Sequence, residues 1–383
     1  MNEKKLYREL HNNDPIFLSN WDVPVDIAPY NLLYSSSQLV NEISDIYSYY
    51  YWTDEHNYSK FFKKFYIHQF GEDITNFLIG SNGTSSIMLS LIALSELGLN
   101  RILVFTPVYF STLNILEMLK LQIFRYDLKF ENNFNVVYES LEQYIIQNRI
   151  ECIFVTDPIF GTGIEHDCNV YIQLNRIAEK YNLWIIIDYI YGGMKWDDNS
   201  FLLNSKTYFL IKQMSNTIII DSITKRLFVN GIKFSIIFAP TNILKKIKRL
   251  SIYTTGAMCY QQLNILEKIY DVQKIDAINK IISSNVNKAK NTYQKVCAYL
   301  IGKPCLVSES NSSFFFLLGL PKNAHANDMD FAINLLHNSG VLTIPHSRYL
   351  LEDDNYYFFR INLFIDENIL FEGLSKLFVL TQY

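Results

Sequence analysis

Short, almost wholly apolar runs alternate with longer amphipathic stretches along this chain, and that alternation constrains its fold more than any other feature. NFLIG (76–80), RILVFT (101–106), LQIFRYD (121–127), ECIFVTD (151–157), LWIIID (183–188), TIIIDS (217–222) and FSIIFAP (234–240) each read as a strand. Helical stretches separate them: TSSIMLSLIALSELG after the first, about Ser111 to Lys120 after the second, and one ending in RIAEKYN before LWIIID. Strands joined by crossover helices build a parallel sheet covered on both sides. The expectation is an α/β fold, a three-layer sandwich around a mostly parallel, seven-stranded sheet.

The pattern changes at about Ala257. From there to Leu300 helical spacing runs with few breakers, and the chain leaves the sheet. Beyond it SSFFFLLGLP, GVLTIP and YYFFRINLF alternate with the helical stretches DMDFAINLLHNSG and ENILFEGLSKLF, which reads as a smaller α+β domain. The expected division is an N-terminal segment, 1–50, that joins the small domain; a large ligand-binding domain, 51–260; and a linking helix with the small domain, 261–383.

At 383 residues and 49% hydrophobic content the chain can bury a large core. A net charge of −4 argues against a nucleic-acid surface or a polybasic membrane patch, so a small molecule is the expected partner. No apolar run reaches the length of a spanning helix, and the polar start MNEKKLYRELHNND is unlike a signal peptide, which suggests the cytoplasm. The cysteines, Cys152, Cys168, Cys259, Cys297 and Cys305, are scattered without CxxC spacing, and no metal site is expected.

In an open parallel sheet, ligands sit at the carboxyl ends of the strands. NFLIG is followed by Ser81-Asn82-Gly83-Thr84 at a helix start, where backbone N–H groups can seat a phosphate, although a plain N-cap would look the same. RILVFT leads into Pro107-Val108-Tyr109, which can present an aromatic ring or bury it in the core. ECIFVT leads into the turn-rich Asp157-Pro158-Ile159-Phe160-Gly161-Thr162-Gly163. LWIII ends in Asp188 with Tyr191 beyond, and a carboxylate closing so apolar a strand needs a cationic or protonated partner. TIII ends in Asp221 and Ser222, with Lys225 and Lys233 following; lysines at strand ends usually reach solvent. Taken together these strand ends supply a phosphate seat, an aromatic plate, a carboxylate, a phenol, a hydroxyl and an amine. Pyridoxal phosphate needs such a set: an amine for a Schiff base, an acid for the pyridine nitrogen, and phosphate ligands.

Over roughly residues 45–383 the chain resembles the fold-type I pyridoxal-phosphate enzymes and, within them, the class I/II aminotransferases. Asn82-Gly83-Thr84 is similar to the family's phosphate-binding turn, and Pro107-x-Tyr109 to its P-x-aromatic segment, whose ring stacks on the cofactor. Asp188-x-x-Tyr191 resembles the D-x-x-Y motif, which implies Asp188 on the pyridine nitrogen and Tyr191 on the phenolic oxygen. Ser222-x-x-Lys225 resembles S-x-x-K, which implies a phosphate-binding serine and a Schiff-base lysine. Arg360, in FFRINLF, falls where the family's arginine clamps the substrate α-carboxylate.

Three departures stand out. The family's N-P-x-N-P-T-G loop is Asp157-Pro158-Ile159-Phe160-Gly161-Thr162-Gly163 here; Asp157 and Phe160 take cofactor-facing positions, and Phe160 cannot make the hydrogen bond of the asparagine it replaces. The phosphate-binding arginine is Lys233, which keeps the charge without the fork. The small-domain P-G-s-x-F is Pro345-His346-Ser347-Arg348-Tyr349, so His346 and Arg348 either lie on a solvated loop or face a polar substrate group. Upstream, Tyr50, Tyr51 or Trp52 falls where the family carries a tyrosine that crosses to a partner subunit, although the glycine that follows it there is Asn57 here.

The resemblance implies an aminotransferase acting on an amino acid, with Lys225, Asp188 and Tyr191 in the catalytic positions and a homodimer completing the sites. After proton removal the chemistry can instead run to β- or γ-elimination, cyclisation or oxidation. A noncatalytic domain of the same fold is the other class of reading, and Lys225, Asp188 and Arg360 argue against it. A nicotinamide enzyme lacks support, because no G-x-G-x-x-G opens a helix.

Overall fold

In a computed structural model the chain is described at residues 15–20, 50–51, part of 62–74, and 76–380 apart from 198–204, 214, 259 and 323–326. The large sheet comprises β1 (Phe77–Gly80), β2 (Arg101–Thr106), β3 (Gln122–Asp127), β4 (Cys152–Thr156), β5 (Trp184–Tyr189), β6 (Thr217–Asp221) and β7 (Ser235–Phe238). Its order is β1-β7-β6-β5-β4-β2-β3, seven strands as the apolar runs predict. Strands β2 to β6 run parallel to one another, whereas β7 is antiparallel to both β1 and β6. The exception has a local cause. Between β6 and β7 the chain forms only the short helix Ile223–Arg226 and a turn, too little for a parallel crossover.

Both faces of the sheet are buried because successive side chains point to opposite sides. Ile102, Val104, Phe154, Ile186, Ile218 and Ile220 enter one apolar cluster with Ile87, Leu91 and Leu94 of the helix Gly83–Ser95. Leu103, Ile153, Val155, Ile185, Ile187 and Ile219 enter the other, with Tyr171 and Leu174 of the helix Cys168–Tyr181. Each such side chain contributes about 1.5–3 kcal/mol by leaving water, so the sheet holds its helices on apolar contact. The helix Gly83–Ser95 starts where Asn82 caps it, accepting from Ser85 N at 2.9 Å, and its chain turns away at Gly98, whose φ is +86°.

A second sheet is antiparallel and joins Leu306–Val307, Phe315–Pro321 and Tyr356–Asn362. Within GVLTIP only Val341–Leu342 form a strand, paired in parallel with Ile16–Phe17, while Pro345 meets the second sheet through a single bridge to Phe359. Tyr50–Tyr51 pair with Ala257–Met258; Trp52 and Asn57 lie outside the described residues. Among the described residues, no helix is long and apolar enough to cross a membrane.

Candidate active site

The carboxyl ends of β4, β5 and β6 and the first turn of the helix Gly83–Ser95 enclose a cavity of about 450 Å³, a size suited to a small molecule. Strand periodicity selects what enters it. Thr156 and Asp188 are register partners on β4 and β5, so both side chains point to the face covered by that helix, and both line the cavity. Their successors Asp157 and Tyr189 point the other way.

At one end of the cavity stand Asn82, Gly83 and Thr84, with Ser222 and Lys233. A Cβ on Gly83 would lie 2.0 Å from Ile190 Cδ1, so the helix start packs on the β5 loop at a distance only glycine permits. Backbone N–H groups at a helix start, a hydroxyl and a lysine make an anion seat. Tyr109, Phe160 and Tyr191 line the same cavity, with the Tyr109 and Phe160 rings 5.5 Å apart.

Lys225 enters from the short helix after β6, which Ser222 caps by accepting from Thr224 N. Its Nζ donates to Asn230 Oδ1 at 2.8 Å and lies 5.2 Å from the Tyr191 ring centre. Burial pulls its pKa down to about 8, aided by the charges of Lys233 and Arg360, which leaves an amine poised to react near neutral pH. Directly beneath, Asp221 is paired with the fully buried Arg226, whose Nε donates to Gly192 O at 2.7 Å. This pair braces the turn that presents Lys225.

Asp188 is 7% exposed and among the described residues has no cationic partner; Ile190 N donates to its Oδ1 at 3.3 Å. Burial therefore raises its pKa to about 7, against that hydrogen bond. A buried carboxylate without a cationic partner among the described residues suits a protonated pyridine nitrogen, which would pair with it. Burial also pushes the Tyr191 phenol above its ordinary range, so Tyr191 remains a hydrogen-bond donor. On this donor set the residues present fit pyridoxal phosphate.

Two expected site residues, Asp157 and His346, do not line the cavity, and a third, Arg360, lies beside it. Asp157 does not line the cavity: one position past Thr156, it faces the opposite side of the sheet, where Lys206 Nζ (2.5 Å), Tyr171 OH (2.7 Å) and His166 N (2.9 Å) all donate to it. His346 is fully buried behind Phe160 instead of facing a substrate. Its ring stacks on Phe160 with Nε2 3.1 Å from Phe160 O, and burial lowers its pKa to about 3, which keeps it neutral. Gly161, at φ +77°, lets it approach, since a Cβ there would sit 2.3 Å from His346 Cε1. Arg360 is also fully buried; Nη2 donates to Ser19 O at 2.6 Å, and the guanidinium lies 4.5 Å from the Phe315 ring centre. It borders a small neighbouring cavity shared with Thr156, Phe160 and Tyr191.

Sequence reasoning missed Thr156, Asn230, Lys206 and Arg226. The register of β4 on β5 would have flagged Thr156. Asn230 and Lys206 carry no sequence signal, because a turn asparagine and a helix lysine are ordinarily solvated.

A sequence profile described as aminotransferase class I and II matches residues 54–376. The aspartate aminotransferase of Sulfolobus acidocaldarius is 23% identical over 73% of this chain and 68% of its own length. That of Pyrococcus horikoshii is also 23% identical, over 83% of this chain and 78% of its own. Among solved structures, the aspartate aminotransferase of Thermotoga maritima superposes with a TM-score of 0.80 at 16% identity, covering 99% of this chain and 95% of that one. N-succinyldiaminopimelate aminotransferase from Mycobacterium tuberculosis gives 0.81 at 16% identity, covering 99% and 96%. These likenesses carry the fold, and the profile, spanning most of the chain, carries the descent. The chain belongs to the aminotransferase class I and II family and is a pyridoxal-phosphate-dependent aminotransferase.

Proposed function

We propose that this protein is a cytoplasmic homodimer that transfers the amino group of a free α-amino acid to a 2-oxo acid, using Lys225 as the covalent anchor and proton carrier. The carrying observation is that an amine whose pKa is drawn down to about 8 and a buried carboxylate without a cation among the described residues line one cavity with an anion seat. Bound pyridoxal phosphate supplies an aldehyde and a ring that draws off negative charge. Asn82, Gly83, Thr84, Ser222 and Lys233 hold its phosphate. Asp188 would accept a hydrogen bond from the ring nitrogen and keep it protonated, and Tyr191 and Tyr109 would hold the ring. Arg360 takes the substrate carboxylate. Lys225 Nζ removes the α-proton and returns it one carbon away, a transfer typically worth about 10²–10⁴ in rate.

The test is a product assay. Purified protein with the cofactor is given L-amino acids, starting with aspartate because relatives bear that name, together with 2-oxoglutarate; oxo acid, ammonia and peroxide are each measured. Oxo acid in excess of one equivalent per site, formed only when an acceptor is present, supports transamination. Ammonia or peroxide formed without an acceptor overturns it in favour of elimination or oxidation.

A pH dependence follows from Lys225. Only the neutral amine attacks an aldehyde, and its pKa lies at about 8. Cofactor uptake by the apoprotein, followed by absorbance after rapid mixing, should speed up as pH rises through about 8 and level off above it. A rate that is flat from pH 7 to 9 would contradict this assignment.

A further inference from the structure

Thr156 is 8% exposed, lines the main cavity and the small one beside it, and its Oγ1 has no hydrogen-bond partner among the described residues. A buried hydroxyl left in this state costs about 1–3 kcal/mol, so a ligand that fills the site has reason to offer it an acceptor. Which acceptor follows from the sheet order and from the substituents of the pyridine ring. Ser222, Lys225 and Lys233 come from β6 and the turn that follows it; Asp188 is on the adjacent β5; Thr156 is on β4, on the far side of Asp188. With its nitrogen at Asp188 and its phosphate arm on the β6 side, the ring turns its opposite edge toward β4. That edge bears the phenolic oxygen. Phe160, which borders both cavities there, has no side-chain donor.

We propose that Thr156 is a cofactor-contacting residue whose hydroxyl donates a hydrogen bond to the phenolic oxygen of pyridoxal phosphate, alongside Tyr191. This deepens the function proposed above and rests on it. Among the described residues the hydroxyl makes no structural hydrogen bond, which separates it from a structural threonine.

The test compares wild type, Thr156→Val and Thr156→Ser, each stripped of cofactor and titrated with pyridoxal phosphate or with 3-deoxypyridoxal phosphate, which lacks that oxygen. Valine keeps the shape and removes the donor. For pyridoxal phosphate, Thr156→Val should bind about tenfold more weakly, and Thr156→Ser close to wild type. For the deoxy compound, wild type and Thr156→Val should bind alike, and the empty Thr156→Val protein should unfold at no lower temperature than wild type. Equal losses with both compounds, or no loss with either, overturn the assignment. A wild type that binds neither compound overturns the cofactor reading, and this inference with it.

Discussion

Replacement of Lys225 by alanine should lower kcat about 10²–10⁴-fold through loss of the proton carrier alone, and further through loss of covalent attachment. Among the described residues the side chain donates one hydrogen bond, to Asn230 Oδ1, so its removal takes away chemistry and little structure. The measurement pairs steady-state oxo acid formation with mass spectrometry after borohydride treatment. Wild type should retain the cofactor mass as a stable secondary amine, and Lys225→Ala should retain none while unfolding near the wild-type temperature. A variant with a tenth of wild-type activity, or one still labelled, would place the reactive amine at another lysine.

The largest effect on stability should come from Lys206→Met. Lys206 is 6% exposed and lies on the side of the sheet away from the cavity, bonded to Asp157 Oδ2 (2.5 Å), Glu165 Oε1 (3.3 Å) and the His166 carbonyl. Burial pulls its pKa down, but the two carboxylates outweigh that and raise it, so the amine stays charged. Tyr189 OH and Ser312 Oγ complete the cluster by donating to Glu165 at 2.8 Å each. Methionine of similar length would leave two buried carboxylates without a cation, and breaking such a pair costs about 3–5 kcal/mol. Denaturant titration of the cofactor-free protein reads this directly. A loss below about 1 kcal/mol would mean that water enters the cluster and carries the charges.

That cluster also bears on catalysis at one remove. It ties down the loop from Asp157 to His166, which carries Phe160 into the cavity, and Asp157 N donates to Asp188 O at 2.9 Å. Lys206 is therefore a positioning residue: its loss should weaken cofactor binding less than Thr156→Val does, relative to its effect on folding.

Much of the site was legible along the chain because strand ends are legible. A run such as LWIII must stop being apolar where it leaves the core, and the first polar residue there, Asp188, lies at the ligand-binding edge. Lys225, Ser222, Tyr191 and Asn82 follow by the same logic, and all of them line one cavity. Asp157 went astray through a shift of a single residue. Motif spacing placed it in the site, and strand alternation turns its side chain to the other face. His346 went astray because the packing of a loop in one lobe against a loop in the other leaves no periodic trace.

By itself, then, the sequence determined the seven strands, their helical crossovers and the polar groups at their ends, since local periodicity and burial dictate these residue by residue. Only the tertiary structure decided which of those groups share a cavity and that, among the described residues, Asp188 has no cation and the Thr156 hydroxyl no partner, while Asp157 has Lys206. The reason is distance along the chain. Asp157 and Lys206, or His346 and Phe160, meet across 49 and 186 positions, and such contacts follow from register and layer packing, which no local pattern encodes.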